Sequence, residues 1–142
     1  MGRSRLPFPS LLGLFGALLM LSPELLMVNT EYLYDAPYDD PGVKEALAFA
    51  VEQYNLNRED SANYFKVFRV LKTQWKIIQV EYHFMVDLVK TRCKKKVGKI
   101  KKYKKIQQCK QLPGNQERPN CYFAVVPGTV PFEMQFKITA CV

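Results

Sequence analysis

Four cysteines and one histidine are the residues of this chain best suited to covalent or metal chemistry. The cysteines are Cys93, Cys109, Cys121 and Cys141, and an even number of them in an exported chain predicts disulfides, with three pairings possible from the count alone. Zinc binding is the alternative use of these residue types. No C-x-x-C pair occurs, and His83 is the only histidine, so we expect no metal and no cofactor.

The same residues argue against an enzyme. A cysteine nucleophile must be a free thiolate, and we expect these cysteines to be oxidised. His83 alternates with strand residues and has no nucleophile partner evident in the sequence, so we expect it to be half-exposed on a strand. The sequence therefore predicts no catalytic residue.

A run of lysines is the second feature with a possible chemistry. Residues 88–116 contain eleven lysines or arginines and no acid, whereas residues 31–60 contain eight acids against Lys44 and Arg58. This asymmetry predicts a strong electrical polarity. The run is either a solvated face or a site that attracts a polyanion, such as heparan sulfate, nucleic acid or an anionic membrane. The candidate polyanion-binding residues are Lys94, Lys95, Lys96, Lys99, Lys101, Lys102, Lys104 and Lys105.

Apolar residues interleave with these lysines, namely Val97, Ile100 and Tyr103. Gly98 and the lack of a continuous apolar stripe argue against a helix lying on a membrane. We therefore expect nonspecific electrostatic attraction that weakens as salt is added.

The N-terminus has the pattern of a secretory leader. Arg3 and Arg5 precede an apolar run over residues 11–21. A membrane anchor is the alternative, but it needs about 20 uninterrupted apolar residues, and Pro23 with Glu24 ends this run. We expect residues 1–28 to be a signal peptide with an approximate cleavage point, and the mature protein to be secreted and extracellular, without integral membrane association.

The rest of the chain has the length of one domain. After an N-terminal segment over residues 29–40, the domain is expected over residues 41–142. Asp40 and Pro41 predict a helix start, as an N-cap and a first-turn proline. Apolar residues then recur at helical spacing, and residues 55–57 are expected to end the helix. The apolar stripe is Val43, Ala46, Leu47, Ala50, Val51 and Tyr54.

The period then changes to that of strands. Residues 64–75 and 80–88 predict two long strands joined near residues 76–79, and residues 121–126 and 132–140 predict two more, joined at a Pro-Gly turn. One helix followed by four strands predicts an α+β domain with the helix on an antiparallel sheet. Residues 94–108 fit neither period and are expected to form an exposed loop or a short charged helix.

The segment from Gly42 to Asn55, which reads GVKEALAFAVEQYN, resembles the opening helix of secreted type 2 cystatins. Arg69-Val70-Leu71, the VEYHFMV segment from Val80 and the later cysteine spacing agree with that resemblance. It covers about residue 41 to the C-terminus. It implies a cystatin-like α+β fold, with one long N-terminal helix packed on a four- to five-stranded antiparallel sheet, and it implies the sequential disulfides Cys93–Cys109 and Cys121–Cys141.

Cystatins of this type inhibit papain-like cysteine proteases with a wedge made of an N-terminal glycine segment, a Q-x-V-x-G hairpin and a Pro-Trp hairpin. Counting back from Val80 places Gln79 at the family's hairpin glycine. Counting forward from Arg69 instead places Lys76 at the glutamine and leaves the loop one residue short. In either alignment the hairpin glycine is missing. The first-hairpin candidates are Lys76, Ile77, Ile78 and Gln79.

The other two wedge elements also depart from the family. Thr129-Val130 occupies the Pro-Trp position, and no glycine lies between Gly16 and Gly42. These departures are similar to those of the reproductive-tract branch, and they imply weak or redirected inhibition. We expect the protein to be a monomer. The alternative is that Ile77, Ile78 and Val130 still form a serviceable apolar wedge. A second function class is a module that binds polyanions, microbial surfaces or membranes through residues 94–105.

Overall fold

The computed structural model describes residues 32–128 and 133–142. Five strands form one antiparallel sheet in the order β1-β2-β3-β4-β5, with two helices inserted. The predicted cystatin-like α+β architecture is therefore present. The elements are β1 (Tyr34–Asp35), α1 (Pro41–Asn57), β2 (Asn63–Lys76), β3 (Glu81–Lys94), α2 (Tyr103–Gln108), β4 (Asn120–Pro127) and β5 (Met134–Cys141).

Helix α1 begins where the sequence predicts. The Asp40 carboxylate accepts a hydrogen bond from the Val43 backbone N–H at 3.1 Å, and Pro41 is the first helical residue. The predicted apolar stripe is buried against the sheet, where its main partners are Phe65, Phe84 and Phe123. Burial of this stripe is the main force that seats the helix, since apolar area contributes about 25 cal/mol per Å².

Asn55 does more than end the helix. It lies in the buried part of α1, and its side chain accepts from the Phe65 N–H at 2.7 Å and donates to the Phe65 carbonyl at 2.9 Å. The amide therefore pairs with β2 as a neighbouring strand would. This contact joins α1 to the sheet through backbone groups as well as through apolar burial.

The two disulfides follow the sequential pairing, as the resemblance implied. Cys93 at the end of β3 bonds Cys109 just after α2, and Cys121 on β4 bonds Cys141 on β5. The first bridge encloses the lysine-rich segment. That segment contains both forms expected for it, a turn over residues 96–99 and the short helix α2.

Some expectations were wrong or fall outside the described residues. His83 is buried at 6% exposure instead of half-exposed, because the Tyr122 ring and the Glu81 carboxylate pack against its imidazole. In β5, Met134 and Phe136 pack against the core, whereas Ile138 is exposed. The signal peptide over residues 1–28 lies outside the described residues. Within the described part of the chain, no helix is long and apolar enough to span a bilayer, and no three potential metal ligands cluster.

Candidate functional site

Three pieces of the chain meet at one end of the sheet. Lys76 pairs with Glu81, so the turn between β2 and β3 is the four residues 77–80. Val125 pairs with Tyr82, which brings the last residues of β4 beside the first residues of β3. The last residue of β4, Pro127, and the first residue of β5, Met134, therefore lie at the same end of the sheet as the β2–β3 turn.

Strand β1 enters the sheet from this end as well. Tyr34 pairs with Trp75 and the strand runs antiparallel to β2, so its first residue lies nearest the turn. Ala36 then fastens the segment, because its N–H donates to the Thr73 carbonyl at 3.0 Å while the Thr73 hydroxyl donates back to the Ala36 carbonyl at 2.9 Å. Antiparallel topology thus brings the start of β1, the β2–β3 turn and the adjoining ends of β4 and β5 to one end of the sheet.

The turn between β2 and β3 presents apolar side chains to solvent. Ile77 is 59% exposed and Ile78 is 79% exposed, and Val80 is exposed beside them. Gln79 is also exposed, and none of the four turn residues is a glycine. The first hairpin therefore offers an apolar tip of aliphatic residues.

A buried charge network supports the base of this turn. Glu81, 6% exposed, accepts a hydrogen bond from Lys137 Nζ at 3.0 Å and lies 3.7 Å from Lys76 Nζ. Its other partner is His83 Nε2 at 2.6 Å, and the opposite ring nitrogen of His83 contacts the Tyr122 hydroxyl. The ammonium of the predicted wedge residue Lys76 therefore faces the Glu81 carboxylate on β3, and the side chain does not simply project into solvent.

The electrostatics of the network follow from burial and charge. Burial alone would raise the pKa of Glu81, but hydrogen bonds from Lys137 and His83, with the charge of Lys76, hold that pKa below its ordinary value. Burial, followed by the charge of Glu81, raises the pKa of the Tyr122 phenol. The carboxylate is therefore ionised and the phenol protonated at neutral pH.

The second hairpin requires a glycine at its base. Pro127 pairs with Met134, and the Gly128 N–H donates to the Glu133 carbonyl oxygen. A Cβ at Gly128 would overlap that same backbone oxygen, so another residue there would force the two strands apart. Thr129 and Val130, the predicted second-hairpin candidates, lie outside the described residues.

The lysine-rich segment begins with a tight turn. The Lys99 N–H donates to the Lys96 carbonyl at 3.1 Å, and Gly98 has a φ of +77°. A glycine in the third position with that φ is the signature of a type II turn. Val97 is fully exposed at the apex, and Ile100 is 61% exposed just after it.

Lys95 differs from the other candidate lysines. Its ammonium donates to the carbonyls of Asn55 and Arg58, each at 2.7 Å, and so satisfies backbone groups at the C-terminal end of α1. Burial, then the charge of Arg58, lowers its pKa. Lys95 is therefore a helix-capping residue, and its ammonium is already engaged by backbone carbonyls.

Six of the remaining lysines share one surface concavity of about 410 Å³. No acidic side chain lines it, and its floor includes Tyr64, whose hydroxyl accepts from the Lys101 N–H at 3.1 Å. Lys104 is the one candidate that lies elsewhere, at a groove beside α1. The lysines that line the concavity are Lys94, Lys96, Lys99, Lys101, Lys102 and Lys105.

Comparison with known proteins gives a consistent result. A family model described as a cystatin domain matches residues 32–125. The chain is 39% identical over 125 residues to Cystatin-1 of Crotalus adamanteus, with 86% of each chain covered. It is 42% identical over 123 residues to a cystatin of Naja kaouthia, with 85% of each chain covered.

Solved structures share the fold. Dimeric human cystatin F superposes with a TM-score of 0.62 at 22% identity, covering 78% of this chain and 86% of that one. Mialostatin, a gut cystatin from the hard tick Ixodes ricinus, superposes with a TM-score of 0.58 at 18% identity, covering 78% and 97% of the two chains.

Proposed function

Because this chain belongs to the cystatin family, whose members inhibit proteases and are not enzymes, we propose that it is a secreted protein that binds papain-like cysteine proteases weakly. The observation that carries this proposal is the edge where β1, the β2–β3 turn and the β4–β5 hairpin meet, with Ile77 and Ile78 exposed at its tip. An exposed apolar turn at one end of the sheet suits insertion into a cleft.

The weakness follows from residues that the wedge lacks. Loss of an aromatic anchor costs about 2 kcal/mol or more of binding free energy, and a side chain forced into a glycine conformation costs about 1 to 3 kcal/mol. Gln79 and Val130 are the residues concerned. Since each 1.4 kcal/mol is about tenfold in affinity, the combined loss amounts to several powers of ten.

Titration of papain with the purified protein tests this function. We expect inhibition in the micromolar range, and we expect Ile78→Ser to weaken it further because the apolar tip is lost. The double substitution Gln79→Gly with Val130→Trp should strengthen it, and Val142→Ser is a matched control, since Val142 is exposed at the C-terminus. Nanomolar inhibition by the natural sequence contradicts the weakness, and no inhibition at high micromolar concentration removes the protease role.

We also propose that the chain acts as a monomer and that its departures group it with the reproductive-tract branch of the family. The missing glycine at Gln79 and the missing tryptophan at Val130 support the branch assignment. Sedimentation equilibrium at micromolar concentration checks the first point. Detection of the protein in testis and epididymis, against other tissues, checks the second.

The lysine-lined concavity supports a second candidate function, binding of polyanions or of anionic microbial or membrane surfaces. Six lysines with no acid among them make a site whose charge is uncompensated by its own lining. Affinity should fall steeply with salt, because each neutralised phosphate or sulfate releases a counterion.

Heparin chromatography tests this candidate. Replacement of Lys94, Lys96, Lys99, Lys101 and Lys102 with Ser should lower the salt concentration that elutes the protein. Replacement of Lys44 and Lys72, which are exposed outside the concavity, is the control and should change it little. An unchanged elution position for the five-lysine variant would mean that the segment is only a solvated face.

A further inference from the structure

The apex of the lysine-rich turn combines charge with exposed apolar surface. Val97 is fully exposed and Ile100 is 61% exposed, while Lys96 and Lys99 close the turn on either side of the apex. Exposed apolar side chains rimmed by polar residues are a feature of membrane and protein interaction sites. The sequence alone argued against a helix lying on a membrane over this segment, and the structure has a turn at residues 96–99 instead.

We propose that this turn docks the protein on an anionic phospholipid surface, with Val97 and Ile100 entering the headgroup region and the surrounding lysines contacting lipid phosphates. The inference rests on the polyanion-binding candidate above and narrows its partner to a lipid bilayer. Charge complementarity with anionic lipid supports this proposal. Lys94, Lys96 and Lys99 form no salt bridge within the described residues, so their charges remain available to lipid phosphates.

One backbone donor of the turn is already satisfied within the protein. The Lys99 N–H is already bonded to the Lys96 carbonyl, so this donor loses no water partner when the apex enters the interface. Lysine side chains can also lie with their methylene stems along apolar groups while the ammonium stays among the phosphates. Shallow insertion of two aliphatic residues surrounded by lysines therefore leaves no charge in the hydrocarbon.

Other polyanions fit this surface less well. Single-stranded nucleic acid is held by exposed aromatic faces on which bases stack. Tyr64, the aromatic residue of the concavity, is 6% exposed and already lies beneath Lys101, whose Nζ is 6.0 Å from the ring centre. A sulfated polysaccharide would engage the lysines but would leave Val97 and Ile100 in water.

The turn is also far from the protease-binding edge. Residues 77–80 lie at one end of the β2–β3 ribbon, and Asn63 pairs with Lys94 at the other. Each strand has 14 residues, about 45 Å at ~3.3 Å per residue. A molecule seated on a membrane by residues 96–100 would therefore hold its inhibitory edge away from the lipid.

Co-sedimentation with vesicles tests the proposal. The full chain without its leader is mixed with vesicles of phosphatidylcholine alone or of an equimolar mixture with phosphatidylserine, at physiological salt. We expect binding to the mixed vesicles and little to phosphatidylcholine. Replacing Lys96 and Lys99 with Gln should weaken vesicle affinity by about fivefold for each lysine and should lower the salt that elutes the protein from heparin.

The apolar pair separates a membrane from other polyanions. Val97→Ser with Ile100→Ser should weaken vesicle affinity by about tenfold or more and leave heparin elution unchanged. The matched control is Ile138→Ser with Val142→Ser, an exposed isoleucine on β5 and the exposed valine that follows this strand, and it should bind vesicles as the natural sequence does.

Two results overturn the proposal. Equal vesicle affinity for the Val97 and Ile100 double variant would mean that charge alone acts. Retention on heparin without binding to the mixed vesicles would identify a sulfated polysaccharide as the partner. Papain titration of the same preparations reports on the distant edge, so failure of the lipid proposal and failure of the protease function are read separately.

Discussion

At the scale of single residues, Glu81 is the side chain on which the proposed protease-binding edge most depends. It lies buried directly after the β2–β3 turn, and it contacts Lys137, His83 and Lys76. A buried carboxylate without partners would cost several kcal/mol, so these three contacts are what allow it to stay ionised. The network therefore links β2, which carries Lys76, to β3, which carries Glu81 and His83.

Replacing Glu81 with Gln should lower the free energy of unfolding by about 1 to 3 kcal/mol at neutral pH, because the charged partners lose their acceptor. The folded-state pKa of Glu81 lies below its ordinary value of 4.5. The ionised carboxylate therefore stabilises the fold above pH 4.5, and this contribution disappears as pH falls through the lowered pKa. Urea unfolding at several pH values measures the difference.

The exposed Glu45 provides the control for this prediction. Glu45→Gln should change unfolding by only a few tenths of a kcal/mol at any of these pH values, as is usual for exposed surface sites. If the gap between Glu81→Gln and the natural sequence did not shrink in acid, the carboxylate would not be the source of the stabilisation.

The sequence could not reveal the Glu81 network. The alternating pattern places Glu81 and His83 on the polar side of β3, and pattern reading assigns that side to water. Tyr122 and Lys137 lie about 40 to 55 residues further along the chain, and they reach Glu81 and His83 only through the register of β4 and β5. An acid buried in this way is visible only once strand order is known.

At the scale of elements, the outer edge of β2 is covered by side-chain amides where β1 does not reach. Asn55 bonds the N–H and carbonyl of Phe65, and Gln107 bonds those of Val67, at 2.7 and 3.2 Å. An open strand edge invites pairing with another chain. Each amide takes the place of one residue of a missing strand, so both helices help to close this edge.

Asn55→Ala should lower the free energy of unfolding by about 2 to 3 kcal/mol, because the Phe65 backbone groups would be buried without partners. Asn57→Ala is the matched control, since Asn57 is the exposed last residue of α1, and it should cost far less. The midpoint of chemical unfolding measures both. Equal losses for the two variants would mean that helix propensity, and not the contact with β2, accounts for the effect.

The elements differ in how far the sequence predicts them. Helix α1 carries its own N-cap, proline and apolar period, and β2 and β3 carry enough β-branched and aromatic residues to be read locally. Helix α2 has only six residues and one buried side chain, Ile106, too few for a period. Its position depends on contacts with other elements. The Glu52 carboxylate of α1 accepts a hydrogen bond from the Tyr103 N–H at 2.7 Å, and the disulfide at Cys109 joins the end of α2 to β3.

At the scale of the whole molecule, the long β2–β3 ribbon separates the two candidate surfaces. Helix α1 runs alongside, with Gly42 close to Tyr82 near one end and Lys95 bonded to its last turn near the other. The basic segment therefore lies at the negative end of the α1 dipole, while Asp40 lies at the positive end. The charged residues at each end of α1 are therefore opposite in sign to the helix dipole at that end.

This separation predicts that the two surfaces act independently. Protein bound to mixed phosphatidylcholine and phosphatidylserine vesicles should inhibit papain with the affinity of the free protein. Ile78→Ser should affect only inhibition and Val97→Ser only vesicle binding, because substitutions far apart have additive effects. Paired titrations with and without vesicles check this, and loss of inhibition on vesicles would mean that the turn and the edge compete.

The bridge between Cys93 and Cys109 has a consequence for how the molecule responds to proteolysis. All the lysines of residues 94–105 lie inside this covalent ring, and a trypsin-like enzyme that opens the ring once leaves both pieces joined through sulfur. The nicked protein would migrate as one band in a gel until a reducing agent divided it into two. The lysine-rich region that such an enzyme would cleave is thus also one in which a single cut releases no fragment.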